Sequence, residues 1–209
     1  TITQDSSSLA SLPYSCDFED ATENSNWVLD NGTQTNKWFI GTAANNGGAN
    51  GLYISNDNGA SNTYGASASY VYAYRQIIVE EAGHYDINFD WKANGESTRD
   101  LLRAFAIPTT LGSNIAAGNA NGMTSTNNTA PSGWIDVANP QGKLNLQTAW
   151  QHSEKSVSLD ATAYNLVFFW KNDGSVQNMT PAVVDNISIE RSTFTINASV
   201  GGEGYGTID

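Results

Sequence analysis

Apolar residues recur along this chain with a period of two, in short runs broken by Asn and Gly. That is the pattern of half-buried strands joined by tight turns. The clearest run is Tyr85-Asp86-Ile87-Asn88-Phe89-Asp90-Trp91, where the apolar residues share one face and the polar residues the other. Trp27-Val28-Leu29, Lys37-Trp38-Phe39-Ile40, Leu52-Tyr53-Ile54-Ser55, Leu101 to Ile107 and Trp150 to Leu159 read as further strands. Tyr70, Tyr72 and Tyr74 alternate ahead of Ile77-Ile78-Val79. The near-continuous Leu166-Val167-Phe168-Phe169-Trp170 predicts a strand buried on both faces. In the last strand, Pro181 to Glu190, Val183, Ile187 and Ile189 share a parity, and Asp185 falls on it too. A carboxylate cannot sit unpaired in a core, so Asp185 needs a cation, a set of donors or a place at the sheet's rim. No segment carries a helical period with caps, and the expected class is all-β.

The chain's 209 residues, 39% hydrophobic and 11% aromatic, suffice for one large domain. Residues 1–12, with Asp5-Ser6-Ser7-Ser8, read as a linker, and 13–191 as the domain. After Arg191 the pattern resets, so 192–209 reads as the start of a following β module or as a terminal strand. Residues 109–142 hold few large apolar residues besides Trp134-Ile135, as expected of a long insertion that is either a functional loop or a mobile one.

Charge narrows the function. A formal net charge of −12 with no Lys/Arg cluster excludes nucleic acid as a partner. Cys16 is the only cysteine, so there is no intrachain disulfide and a buried thiol is expected. No apolar run approaches the ~20 residues of a membrane helix, and Thr1-Ile2-Thr3 opens without a signal peptide's charged or apolar region, so a secreted form would already have lost one. Catalytic materials are thin. His84 and His152 lack zinc-ligand spacing, and no Gly-x-Ser-x-Gly elbow occurs. A glycosidase pair could be drawn from Glu19, Asp90, Glu96 and Asp185, but sequence does not fix the separation such a pair requires, and the chain is expected not to be an enzyme. The Gly-rich run 44–51 lacks the Gly-Lys-Ser/Thr ending of a phosphate cradle. Binding has better candidates: Trp27 and Trp134 as platforms for sugar rings, with Trp134 expected to be exposed and the strand tryptophans in the core, and the tyrosine stripe as a further platform although a half-buried sheet face is its commoner role.

Ser15-Cys16-Asp17-Phe18-Glu19-Asp20 sets three carboxylates around one aromatic. This stretch is expected to meet the Asp185 strand, close a β-sandwich and hold a metal ion. The competing expectation leaves Asp17 and Glu19 facing solvent and gives Asp185 backbone donors.

Cys16-Asp17-Phe18-Glu19-Asp20, Trp38-Phe39-Ile40-Gly41, Leu52 to Gly59, Phe89 to Gly95, Trp150 to Trp170 and Val184-Asp185-Asn186-Ile187 together give a familiar order. Over 13–191 the chain resembles MAM-like jelly rolls, particularly the cleaved-adhesin or choice-of-anchor J domains of Bacteroidetes-like surface proteins. It departs from true MAM domains in having one cysteine. The resemblance implies a jelly-roll β-sandwich of galactose-binding-like architecture and a structural calcium ion held by Glu19 and Asp185; Asp17 and the turn ending at Asn58 are weaker candidates, by proximity in the pattern only. It implies a secreted or cell-surface bacterial protein of several domains. The expected function is a non-catalytic adhesion module for carbohydrate or an extracellular protein. A structural spacer, or an accessory domain of a glycan-degrading enzyme, is the alternative.

Overall fold

Strands apolar on alternate positions need a second sheet to cover that face, and this chain folds one sheet onto another. The computed structural model describes residues 9–123, 127, 129–177 and 180–193. The first sheet runs β1 (Ala10–Ser11), β6 (Ser69–Ile78), β11 (Ala163–Asn172), β8 (Leu101–Pro108), β9 (Ile135–Asp136), with β3 (Val28–Asp30) also on β6. The second runs β10 (Gln147–Leu159), β7 (Gly83–Ala93), β12 (Val183–Arg191), β5 (Gly51–Ser55), β4 (Lys37–Gly41), with β2 (Tyr14–Cys16) also on β12. The result is the expected all-β jelly-roll sandwich. Its core is the alternating set read from the sequence: Tyr85, Ile87, Phe89 and Trp91 of β7 face Leu166, Phe168 and Trp170 of β11. Phe89 and Phe168 meet edge to face at 5.1 Å, and Trp27 stacks on Phe168 at 6.1 Å.

The two ends of the domain meet as expected: β2 pairs antiparallel with β12, Cys16 opposite Ile187. Cys16 is buried, and that burial pushes its thiol pKa up. The parity of Asp185 has a local cause. Along β12 the register runs Asp185 opposite Asp90 and then Ser188 opposite Asn88, three steps against two. This is a β-bulge, with Asn186 in the left-handed region at φ 51°. The extra residue turns Val184 and Ile187 to the core and sends Asp185 to the outer face of the second sheet.

Strand β11 is buried on both faces because the insertion after β8 folds back over the first sheet. Tyr72, Phe105, Ile107, Val167 and Phe169 pack there with Met123 and Trp134. Trp134 therefore differs from its expected exposure: it is 6% exposed, edge-on to Phe105 at 5.2 Å, because it supplies the apolar cover this outer face lacks. Trp27 is likewise buried, packed between Phe18 and Phe168. The insertion's far end is pinned by Asp136, which accepts from Arg103 Nη2 (2.9 Å), Ala138 N (3.0 Å) and Gly142 N (3.0 Å).

Three features differ from the sequence reading. Ala10–Ser11, read as linker, pairs in parallel with Ile77 and Ile78. A four-residue helix, α1 (Ala21–Asn24), starts at Asp20, whose carboxylate accepts from Thr22 N at 2.7 Å, and Thr109–Asn114 forms a 3-10 turn. Neither is long enough to show a helical period. The β module or terminal strand read in 192–209 lies, from residue 194 on, outside the described residues. Among the described residues, no helix is long and apolar enough to cross a membrane.

Candidate functional site

The carboxylates expected to bind metal gather around one loop. Asp185 is fully buried under residues 44–50: its Oδ2 accepts the Asn46 N–H at 2.6 Å and its Oδ1 the Asn186 N–H at 2.8 Å. The same two asparagines donate their side-chain amides to Asp90 Oδ2, at 2.8 and 2.9 Å, and His152 Nδ1 lies 2.7 Å from Asp90 Oδ1. Two opposed carboxylates are thus stitched together by Asn46 and Asn186. Burial, with Asp17 and Asp90 nearby, pushes the Asp185 carboxyl above the usual range against the pull of its two donors. Burial also acts on Asp90, but the donors from His152, Asn186 and Asn46 outweigh it and hold its pKa down.

Glu19 grips the loop's other end, its Oε1 accepting from Ala49 N (2.8 Å) and Asn50 N (2.7 Å). A Cβ on Gly48, at φ 65°, would lie 2.5 Å from that oxygen, so only glycine fits here. Asp17 Oδ1 accepts the Glu19 N–H at 3.1 Å, and Asn58 sits in an exposed turn whose Asp57 is bonded to Ser55 and Ser61. A calcium shell needs about six to eight converging oxygens, and here Asp17, Glu19 and Asp185 hold protein donors. Their carboxylates are spent on N–H donors. Among the described residues, the acidic trio whose ligand atoms lie within 4.8 Å of one another is Glu96, Asp100 and Asp173. There Arg99 bridges Glu96 (3.5 Å) and Asp173 (3.0 Å), while buried Asp100 accepts from Tyr64 Oη and Asp173 N.

A concave site lies instead on the outer face of the first sheet. The insertion covers only part of that face, leaving a groove of about 700 Å³ between β3 and the 3-10 turn. Its floor has two rows. Val28 of β3 lies opposite Tyr74 of β6, which makes an apolar row with Val28 left 43% exposed. One pleat along, Gln76 lies opposite Asn165, which makes a polar row. Gln76 Nε2 donates to Asn165 Oδ1 at 3.1 Å, while Gln76 Oε1 is buried without a partner among the described residues. An unsatisfied buried acceptor costs about 1–3 kcal/mol, which a bound donor would return. Asn26, Ser25, Thr109 and Ser113 add polar groups at the walls.

Glu23 of α1 fixes the rim. It receives Arg75 Nε at 2.7 Å, Tyr14 Oη at 2.7 Å and Asn26 Nδ2 at 3.2 Å, so the arginine in the groove wall is neutralised. Burial alone would raise the Glu23 pKa, but these donors and the Arg75 charge hold it below the usual carboxylate range. Tyr74 belongs to the tyrosine stripe picked out in the sequence. Val28, Gln76 and Asn165 carry no such mark in the sequence, although Asn165 directly precedes the apolar run of β11 on the outward parity.

No protein-family model matches the chain, and no curated protein matches it. Distant structural likenesses exist. The CBM22-1 xylan-binding domain of Xyn10C from Paenibacillus barcinonensis is 13% identical over 87% of this chain and 95% of that domain, with a TM-score of 0.49. The C-terminal family 22 carbohydrate binding module of Xyn10B from Clostridium thermocellum is 9% identical over 88% and 96%, with a TM-score of 0.47. TmCBM61, solved with β-1,4-galactotriose, is 9% identical over 79% and 88%, with a TM-score of 0.44. At this distance the site is read from its own residues.

Proposed function

We propose that the chain is a non-catalytic carbohydrate-binding module whose ligand lies in the groove over Tyr74. The observation that carries this reading is the two-row floor. A sugar ring has an apolar C–H face and a polar hydroxyl edge, and here an apolar Val28–Tyr74 row runs beside an amide row at strand spacing. The volume is in the range of small-ligand sites, and with Arg75 neutralised by Glu23 the groove suits an uncharged ligand. Among the described residues its lining holds no carboxylate, whereas glycoside hydrolysis commonly uses two. A glycan array tests the reading: wild type should give a defined set of hits, and Tyr74→Ala should abolish them. Hits unchanged in Tyr74→Ala would move the site elsewhere, and no hits would end the reading.

The rest of the proposal rests on the motif order given above. It places the module in a secreted or cell-surface protein of the choice-of-anchor J type, serving adhesion or glycan targeting. Calcium is part of it in a changed place, at Glu96, Asp100 and Asp173, where the ion would have to displace Arg99. Melting in calcium against excess chelator tests that point, and coincident curves would remove the ion.

A further inference from the structure

The polar row of the groove carries more information than a hydroxyl-binding surface needs. Gln76 and Asn165 are register partners joined by one amide–amide hydrogen bond. Each primary amide has a donor end and an acceptor end. The bond uses the amino group of Gln76 and the carbonyl of Asn165, which leaves a carbonyl on one side and an amino group on the other. The remaining carbonyl, Gln76 Oε1, is the buried acceptor without a partner among the described residues. The remaining amino group, Asn165 Nδ2, lies beneath Gly112, where a Cβ would come within 3.0 Å of it. Glycine at 112 keeps the turn from pressing on that donor.

An acceptor and a donor left over by two joined amides can both be answered by a third amide. The geometry points to a sugar bearing an acetamido group, an N-acetylhexosamine, as the ligand class, an inference that rests on the glycan reading above. The acetamido N–H donates to Gln76 Oε1 and its carbonyl accepts from Asn165 Nδ2. Its methyl lies on the apolar surface of Val28 and Ile115, both of which line the groove. A pair of ring hydroxyls can meet the two amide ends but leaves that apolar surface wet. A free amino sugar is disfavoured, because it brings no carbonyl for Asn165 Nδ2 and, among the described residues, the lining holds no carboxylate to pair with its ammonium.

Isothermal titration of the intact chain with tri-N-acetylchitotriose, the glucosamine trimer and cellotriose tests this. The acetylated trimer should bind at least about tenfold tighter than the other two, as expected when a buried acceptor gains its partner. Gln76→Met, nearly isosteric, should bring the acetylated and plain trimers to within about twofold of each other while its melting curve stays that of a folded protein. Tyr74→Ala should weaken all binding. Equal binding of cellotriose, or a preference that survives Gln76→Met, overturns the acetamido inference and leaves the glycan reading standing. Binding of a different, non-acetylated glycan on the array with none of chitotriose does the same. If no glycan binds at all, the failure belongs to the glycan reading itself.

Discussion

Asp136→Ala should be among the most damaging single changes outside the core. Asp136 and Arg103 are both buried, side chains 5% and 2% exposed, with Nη2 and Oδ2 2.9 Å apart. The same carboxylate takes the N–H groups of Ala138 and Gly142 and lies 3.5 Å from Lys155 Nζ. Truncation strips a buried guanidinium of its carboxylate and leaves two backbone donors without their acceptor. Removing one partner of a buried pair costs about 3–5 kcal/mol, and at roughly 2–4 °C per kcal/mol for a domain this size the midpoint should fall by roughly 6–20 °C. Urea denaturation followed by far-UV circular dichroism measures the loss. The double variant Arg103→Met/Asp136→Leu supplies the control, because replacing both charges by apolar groups of similar volume should recover much of it. A single-variant loss below about 1 kcal/mol would put the pair among weak surface bridges, and the account of how the insertion is anchored would fail.

Other consequences follow from the same physics. Trp134→Ala should destabilise by about 3–5 kcal/mol, the usual cost of emptying a buried tryptophan site, whereas an exposed platform would cost almost nothing in a thermal melt. Gly48→Ala should cost more than Gly47→Ala: both have positive φ, but only at position 48 does the new methyl strike Glu19, while at 47 it meets nothing within 4 Å. Lys171 is buried, and desolvation pulls its pKa down to about 8. Between that value and the unfolded one of about 10.4 the unfolded chain holds more protons, so stability should rise with pH across this window. Lys171→Met should flatten the rise, and an equally steep rise in the variant would refute the assignment.

The fold was legible because period two survives in nearly every strand, and because Tyr85 to Trp91 and Leu166 to Trp170 declare half-buried and fully buried strands without help from neighbours. What Asp185 does was not legible. One extra residue at Asn186 inverts the parity on either side of it, and a bulge has no compositional mark that separates it from a polar strand position. Trp134 misled for a related reason: a tryptophan among Asn, Gly and Ser looks exposed until the loop carrying it lands on another strand's apolar outer face. The groove was half visible. Its tyrosine lay in a conspicuous stripe, while Gln76 and Asn165, far apart in sequence, become a pair only through the β6–β11 register.

The pairing of β2 with β12 also has a mechanical consequence. Leu12, Pro13 and Arg191 line one small cavity, so the link between β1 and β2 lies beside the end of β12. Tension across residues 12 and 191 therefore loads the ladder Tyr14–Ile189, Ser15–Ser188, Cys16–Ile187 from one end, and its hydrogen bonds break in turn as in a zipper. The first residue to leave is Tyr14, whose hydroxyl helps hold Glu23 and, through Glu23, the groove's rim. On the proposed function, a pulled module should release a sugar in the groove sooner than a slack one. Single-molecule dissociation at constant force measures this, and a release rate that does not rise with load would show that the rim holds without Tyr14.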